Sequence, residues 1–347
     1  MKQRVFVGLS GGVDSSVAAA LLMKQGFAVT GVHIKCFNVD GCAERDADDA
    51  RRVAETLGIP FYAFDLEDAY KERVVTYMVE GYHHGITPNP DVMCNREIKF
   101  GLFMARALEL GADFVATGHY VALKKNKKAY ALYAAKDADK DQSYFLWTLT
   151  QEHLKRCLFP LGKYKKPAVR KIAETLGLPT AHKKDSQGIC FLGQVALADF
   201  LKGYIPAQAG AIMTAGGEKI GAHDGAHAYT PGQRHGLNLG GNPEPLYVTG
   251  KDVEANTVTV AKRDDIAGTE EIALADVNMI ASATPDGTEV WARIRYRQPL
   301  FEAKLMRPGA SSGFRLVCND PQKFVAAGQS AVWYSASGEM LGGGVIL

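Results

Sequence analysis

Apolar and polar positions in the first half of the chain alternate between two periods. Arg4-Val-Phe-Val-Gly-Leu9 is a short apolar run, residues 13–24 carry helical spacing that stops near Gly26, and Phe27-Ala-Val-Thr-Gly-Val-His-Ile34 is strand-like again. The alternation continues with a predicted helix over 47–57, stopped by Gly58-Ile-Pro60, and a strand at Phe61-Tyr-Ala-Phe64. A helix over 98–110, stopped by Gly111, a strand over 113–117 and a further helix over 168–176 follow. Strands alternating with helices predict an α/β fold with a doubly wound, mostly parallel sheet and ligands at the carboxyl ends of its strands.

After about residue 197 the texture changes. Gly and Pro become frequent, and Thr257-Val-Thr-Val260, Glu289-Val-Trp-Ala-Arg-Ile-Arg-Tyr296 and Ser330-Ala-Val-Trp-Tyr334 alternate as short antiparallel strands do. The expected organisation is a catalytic α/β domain over 1–196, a small β-rich domain over 197–270 and a β-barrel-like domain over 271–347. In a strand over 289–296, Val290, Ala292, Ile294 and Tyr296 would face one way. Trp291, Arg293, Arg295 and Arg297 would face the other, as a surface for a polyanion or as a solvated face.

Composition, 47% hydrophobic and 22% charged in 347 residues, excludes disordered, collagenous and coiled-coil chains. No apolar run approaches the roughly 18 residues of a membrane span, so a cytoplasmic protein with no membrane partner is expected. Six cysteines without a Cys-x-x-Cys pair suit neither a disulfide framework nor a zinc ribbon. Net charge is only +2, but between Tyr120 and Cys190 there are 15 Lys and Arg against 6 Asp and Glu. Such a band suits a phosphate backbone; its alternative is a lysine-rich solvated face.

Gly8-Leu-Ser-Gly-Gly-Val-Asp-Ser-Ser16 joins the first strand to the first helix. Glycines there let backbone N–H groups converge on an anion, Ser10, Ser15 and Ser16 add hydroxyls, and the helix dipole favours negative charge. The loop lacks the Gly-Lys-[Ser/Thr] of a Walker A motif and is not Gly-x-Gly-x-x-Gly. Its bland alternative is a turn with Asp14 or Ser15 as helix cap.

Two further segments carry thiols. In Thr87-Pro-Asn-Pro-Asp-Val-Met-Cys-Asn-Arg-Glu-Ile-Lys-Phe100, Asp91 and Cys94 stand three apart just before a predicted helix, whose N-terminus, with Arg96 and Lys99, would favour the Cys94 thiolate. Asp91 is then a candidate general acid or base. In Lys183-Lys-Asp-Ser-Gln-Gly-Ile-Cys-Phe191, Cys190 lies in a polar loop. Two loop cysteines suit a sulfur carrier and a resolving thiol: one holds a persulfide, the other attacks it and leaves a disulfide. Cys36, Cys42, Cys157 and Cys318 read as small apolar residues, although Cys36 and Cys42 flank a polar loop near the expected nucleotide site.

Ser-Gly-Gly-x-Asp-Ser resembles the pyrophosphate loop of the ATP pyrophosphatase superfamily, whose members adenylate a substrate oxygen. Together with Asn89-Pro-Asp-Val-Met-Cys94-Asn, Ala116-Thr-Gly-His-Tyr120, Asp139-Lys-Asp-Gln-Ser-Tyr144, Asp185-Ser-Gln-Gly-Ile-Cys190-Phe and Gly328-Gln-Ser-Ala-Val-Trp-Tyr334, it resembles the tRNA-specific 2-thiouridylase family along essentially the whole chain. The resemblance implies an adenine nucleotide alpha hydrolase-like fold and the ATP-dependent sulfuration of C2 of the wobble uridine in tRNAs for Lys, Glu and Gln. It implies ATP contacts from Gly8, Leu9, Ser10, Gly11, Gly12, Val13, Asp14, Ser15, Ile34 and Gly118, with Asp14 helping to place Mg²⁺. It implies Cys190 as the persulfide carrier, Cys94 as nucleophile and Asp91 as acid/base. The implied tRNA contacts are Asn89, Pro90, Asp91, His119, Lys140, Asp141, Gln142, Arg295, Tyr296 and Gln329. A persulfide donor, either a sulfur-relay protein or a cysteine desulfurase, would be a partner.

Asp137-Ala-Asp-Lys-Asp141 superficially imitates a calcium loop, but Gln142 and Thr148 stand where an EF-hand needs Gly and Glu. The resemblance makes it a tRNA-contacting segment. Residues 35–44 do not align with the family pattern, which leaves the adenosine-side contacts unassigned. A variant mechanism would hold an iron–sulfur cluster on Cys94, Cys190 and a third ligand, for which no further cysteine stands out. Two rivals belong to other classes: an amide-forming ATP pyrophosphatase, which has no use for the loop cysteines, and a non-catalytic RNA-binding module, which has none for a phosphate loop.

Overall fold

The computed structural model describes residues 2–347 except 38, 40, 127, 128, 186–190, 193, 194, 241–243, 281–283 and 308–312, and of Cys42 only the backbone. The chain opens with β1 (Arg4–Gly8), α1 (Val13–Lys24), β2 (Ala28–Lys35), α2 (Cys42–Leu57) and β3 (Phe61–Asp65). Then come β4 (Phe114–Ala116), the hairpin β5 (Ala122–Lys125) and β6 (Tyr130–Tyr133), and β7 (Cys157–Leu158). Five of these strands form a parallel sheet in the order β3-β2-β1-β4-β7. Val5, Phe6 and Val7 of β1 are buried on both faces, as a parallel strand covered by helices must be.

Helix α1 is apolar nearly all round because it is covered on two sides. Ala19 and Leu22 pack on β1 and α2, whereas Val17, Ala18 and Leu21 pack on Val169 and Ala173 of the helix Lys166–Thr175. Strand order reverses between β1 and β4, so the crevice for a ligand opens where Gly8 and Ala116 end their strands.

Two long helical stretches lie between β3 and β4. One runs through Glu67–Tyr70, Lys71–Val75 and Thr76–His83, the other through Pro90–Met93, Cys94–Leu102 and Phe103–Glu109, and the middle segment of each is wound more widely as a π-helix. The expected helix start near residue 98 is therefore eight residues late. Pro90 takes the first helical position and Asn89 caps it, its Oδ1 accepting from Val92 N at 3.3 Å. Asp91 and Cys94 lie inside the helix, not in a loop before it.

The second half is all β apart from short helical turns. Strands β8 (Gly210–Thr214), β9 (Lys219–His223), β10 (Leu246–Asp252) and β11 (Thr257–Lys262) form a sheet in the order β10-β11-β8-β9 around Ile212, Val248, Val258 and Val260. Strands β12 (Thr269–Met279), β13 (Thr288–Arg293), β14 (Phe301–Met306), β15 (Phe314–Gln322), β16 (Ser330–Tyr334) and β17 (Glu339–Ile346) form a six-stranded antiparallel barrel. It closes because β12 pairs with both β15 and β17. The hairpin β5–β6, from the first half of the chain, adds to β17 and ties the barrel to the α/β sheet.

One expectation about charge is corrected. The arginine-bearing strand ends at Arg293, so the row of outward arginines does not form. Arg293 turns toward Asp141 at 3.6 Å and lies over the Tyr334 ring, Arg295 donates to the carbonyls of Pro231 and Phe324, and Arg297 occupies a left-handed turn at φ +64°. Four cations of the basic band are held by carboxylates, whereas Lys124, Lys125, Lys136, Lys155 and Lys163 are among those exposed. Lys140, Lys166, Arg170 and Lys183 make ion pairs with Asp14, Asp46, Asp49 and Asp185 at 2.5–2.9 Å.

Candidate functional site

The chain leaves β1 at Gly8, turns through Leu9-Ser-Gly-Gly12 and enters α1. Gly12 is the N-cap and no side chain caps the helix, so the alternative of Asp14 or Ser15 as cap is not adopted. Ser15 Oγ instead accepts from Ser10 N at 3.1 Å, and the Ser16 hydroxyl donates to Gly12 O at 2.8 Å. The turn is tight: Gly11 has φ +70°, and a Cβ there would stand 2.4 Å from the Asp46 carbonyl oxygen. A twelve-residue helix with an uncapped N-terminus at the carboxyl end of a central strand has the geometry that suits a phosphate.

The loop after β4 closes on this turn. A Cβ on Gly118 would come within 2.7 Å of Ser15 N and 2.9 Å of Asp14 C, so only glycine permits the approach. Next to it, His119 is buried, with Nδ1 2.7 Å from Thr117 Oγ1 and its ring against Phe100 and Phe159. Burial, assisted by the charge of Lys99, holds the imidazole pKa well below its ordinary value, so the ring is neutral at pH 7. The Tyr120 hydroxyl donates to Asp14 Oδ1 at 2.7 Å, and burial together with that carboxylate raises the phenol pKa.

Asp14 sits at the centre of an ionic cluster. Lys166 Nζ donates to both its oxygens at 2.7 and 2.8 Å and reaches Asp185 Oδ1 at 2.9 Å. Asp185 also receives Lys140 and Arg170. Burial alone would raise the Asp185 pKa, but hydrogen bonds from Lys140 and Lys166 and their charges outweigh it and hold the carboxyl at about 2. Asp14 is one-third exposed and offers a carboxylate beside the phosphate loop. One carboxylate plus nucleotide phosphates is an ordinary donor set for Mg²⁺.

The second wall is the helix that begins at Pro90. Phe100 packs on His119, and Phe103 lies 3.8 Å from where a Cβ on Gly8 would stand, which seats this helix beside the ends of β1 and β4. Asn89 and Pro90 are buried, and Asp91 is half-buried. Cys94, 2% exposed, shares an apolar cluster with Tyr70, Val74, Ile98 and Phe191. The expected electropositive setting for its thiol is corrected: Arg96 pairs with Glu97 at 3.1 Å, and apolar side chains surround the sulfur. Cys190 lies outside the described residues, but its neighbour Phe191 belongs to the cluster that holds Cys94, as do the partly buried Ile34 and Cys36 that pack against it.

The remaining expected site residues divide by exposure. Lys140, Gln142, Tyr296 and Gln329 are partly exposed, and the Tyr296 ring lies tilted against Phe145 with centroids 4.5 Å apart. Gln142 Oε1 accepts from Tyr120 N at 3.0 Å. Asp141 is buried and accepts from Ala135 N, Ser143 N and the Ser143 hydroxyl. Gln329 Nε2 donates to the carbonyls of Thr87 and Pro88.

Three family models match in succession: a tRNA methyl transferase HUP domain over residues 3–194, a tRNA methyl transferase PRC-barrel domain over 198–262 and an aminomethyltransferase beta-barrel domain over 269–346. A protein of Geobacillus kaustophilus named tRNA-specific 2-thiouridylase MnmA 2 is 44% identical over 99% of this chain and 94% of its own length. The chain belongs to the tRNA-specific 2-thiouridylase family. A relative in Christiangramia forsetii, named tRNA-specific 2-thiouridylase MnmA, is 43% identical over 99% of this chain and all of its own. Among solved structures, a 4-thiouridine synthetase–RNA complex with bound ATP is only distantly similar, at 18% identity and a TM-score of 0.35 over 59% of this chain and 50% of that one.

Within this thiouridylase framework, sequence reasoning missed Lys166, Tyr120 and Asp185. Nothing along the chain sets Lys166 apart from the other lysines of the basic band; only the packing of its helix on α1 brings it to Asp14.

Proposed function

We propose that this chain is an ATP-dependent tRNA-uridine 2-sulfurtransferase acting on C2 of the wobble uridine in tRNAs for Lys, Glu and Gln. The observation that carries the reading is that the helix bearing Asp91 and Cys94 packs directly on the loops that form the phosphate crevice. An amide-forming enzyme needs the crevice but no thiol beside it.

The polyphosphate of ATP lies on the N-terminus of α1, with Gly8 to Ser15 and Gly118 around it and Ile34 toward the adenosine. Asp14 would hold Mg²⁺ beside the phosphates, and the ion would supply charge neutralisation there. The uridine leaves its stack, at a cost of a few kcal/mol offset by contacts along the anticodon arm, and enters between Asn89, Pro90 and Asp91. Its O2 attacks the α-phosphorus and pyrophosphate leaves. A persulfide on Cys190 then brings sulfur to C2, and AMP departs with O2. Cys94 attacks the sulfur of Cys190 that bears the persulfide, so that the outer sulfur remains on the base and a Cys94–Cys190 disulfide forms. Two electrons from an external thiol reductant reopen it, and a sulfur-relay protein or cysteine desulfurase reloads Cys190. Asp91 moves the proton at the base.

Lys140, Gln142 and Tyr296 reach the RNA, whereas the buried His119 and Asp141 and the internally bonded Arg295 shape the surface beneath it. The reading places the enzyme in the cytoplasm with its tRNA. It is tested by incubating the protein with ATP, a radiosulfur persulfide donor and unmodified tRNA, followed by a mercury-containing gel. A labelled, retarded tRNA that requires ATP and is lost in both Cys94→Ser and Cys190→Ser is expected. Pyrophosphate release with a small amine acceptor and no thiolated tRNA would establish the amide-forming alternative instead.

A further inference from the structure

The Thr87-Pro-Asn-Pro-Asp91 segment is held from outside its own domain. Prolines at 88 and 90 remove two backbone donors, and the carbonyls of Thr87 and Pro88, just before the helix begins at Pro90, take their donor from outside the segment. The link between β15 and β16 of the barrel supplies what is missing. Gln329 Nε2 donates to Thr87 O at 2.9 Å and Pro88 O at 3.3 Å, while Ala327 O accepts from Thr87 N at 2.8 Å. Between them, Gly328 passes so close that a Cβ there would stand 3.0 Å from the Thr87 carbonyl group. The clamp is itself fixed: Gly328 N donates to Ile346 O and Ile346 N to Gln329 O, both at 2.8 Å. From the other side, Thr230 of the central domain stands 3.3 Å from the Thr87 hydroxyl.

We propose that Gln329 is a positioning residue: its carboxamide sets the Thr87–Asp91 segment for catalysis, and it is not principally an RNA contact. A carboxamide has one nitrogen with two protons, and here that nitrogen faces two protein carbonyls, leaving only Oε1 for any other partner. What the clamp controls follows in sequence. Asn89 caps the helix, Asp91 is its second residue and Cys94 lies one turn on, so a displaced Thr87 shifts the reacting groups together. Misplacement of about 1 Å can cost a hundredfold in rate, while the tRNA surface outside this segment stays as it is. The inference rests on the thiouridylase reading for its consequence in turnover, but not for the clamp itself.

The test uses the full chain with Gln329→Glu, which keeps the shape and removes both donors, and Gln329→Met, which keeps the volume without a charge. Thiolation is measured across tRNA concentrations, with equilibrium tRNA binding beside it. The expected result is a maximal rate at least tenfold lower at saturating ATP and tRNA, with tRNA affinity within about twofold of the parent. Retained maximal rate with tenfold weaker tRNA binding would make Gln329 an RNA contact and overturn the proposal, as would no change in either quantity. Hydrogen exchange of the amides over 84–94, without RNA, is the second measurement: faster exchange in both variants supports the clamp, and unchanged exchange overturns it. Should the parent protein thiolate no tRNA, the thiouridylase reading fails, and the exchange result still decides the clamp.

Discussion

At the scale of single residues, the phosphate crevice depends on a cation that the sequence hides. A carboxylate in the first turn of α1 would repel a triphosphate, and Lys166, 8% exposed, answers it from 2.7 Å. Lys166→Met should therefore weaken ATP binding at least tenfold, measured by titration calorimetry without tRNA, whereas Lys166→Arg should retain part of it. Asp185 carries a pH signature. Its carboxyl is held at about 2 in the folded protein against an ordinary value near 3.8, so the ion pairs stabilise fully above about pH 4 and progressively less as pH falls toward 2. In Asp185→Asn this segment of the acid-unfolding curve should flatten, with lower stability at neutral pH. The glycines and serines of the loop were legible because their chemistry is local. Lys166 and Asp185 were not, because their role comes from packing across 152 and 19 positions of the chain, respectively, which no local pattern encodes.

Among the elements, α1 and the 90–109 helix make the site, and the two differed in legibility. The α1 bounds agree with the expected 13–24 because a phosphate-type turn and a C-terminal glycine mark both ends. The second helix, expected from residue 98, starts eight residues earlier, at Pro90. Asn followed by Pro is a start signal, with a capping side chain and then the favoured first helical residue, and tertiary contacts decide whether a helix begins there. Asn89→Ala should cost about 1 kcal/mol of stability, measured by urea unfolding, through loss of the cap. Gly118→Ala should leave the fold largely intact and lower ATP affinity by an order of magnitude or more. Its methyl group would meet Ser15 N at 2.7 Å and push the two crevice loops apart.

Across the whole molecule, the barrel is joined to the α/β domain by strand pairing and buried hydrogen bonds and is not an appendage. The β5–β6 hairpin continues its sheet, Asn278 Nδ2 donates to the carbonyls of Trp147 and Leu149, and Trp147 Nε1 donates to the Ser330 hydroxyl. The α/β half was visible in hydrophobic periodicity, and the change to short strands after residue 197 was visible in Gly, Pro and β-branched residues. The closure of the barrel and the capture of a hairpin from the first half were not, since strand pairing across 200 residues leaves no periodic trace. Asp141 with Arg293 is a largely buried ionic link between the halves. Asp141→Ala should destabilise the protein by about 3–5 kcal/mol by leaving Arg293 without its counter-charge, visible as a lowered thermal midpoint. Where the variant remains folded, tRNA affinity should be close to the parent's, as expected of a residue that frames the RNA surface from beneath.

The most direct test is the identity of the nucleoside the enzyme makes. Unmodified tRNA for Lys, Glu or Gln, treated with the protein, ATP and a persulfide donor, is digested to nucleosides and analysed by chromatography and mass spectrometry. The account predicts 2-thiouridine at the wobble position, dependent on ATP and absent in Cys190→Ser. Sulfur at another atom of the base, or at another position in the tRNA, or no thiolated nucleoside at all, would contradict it.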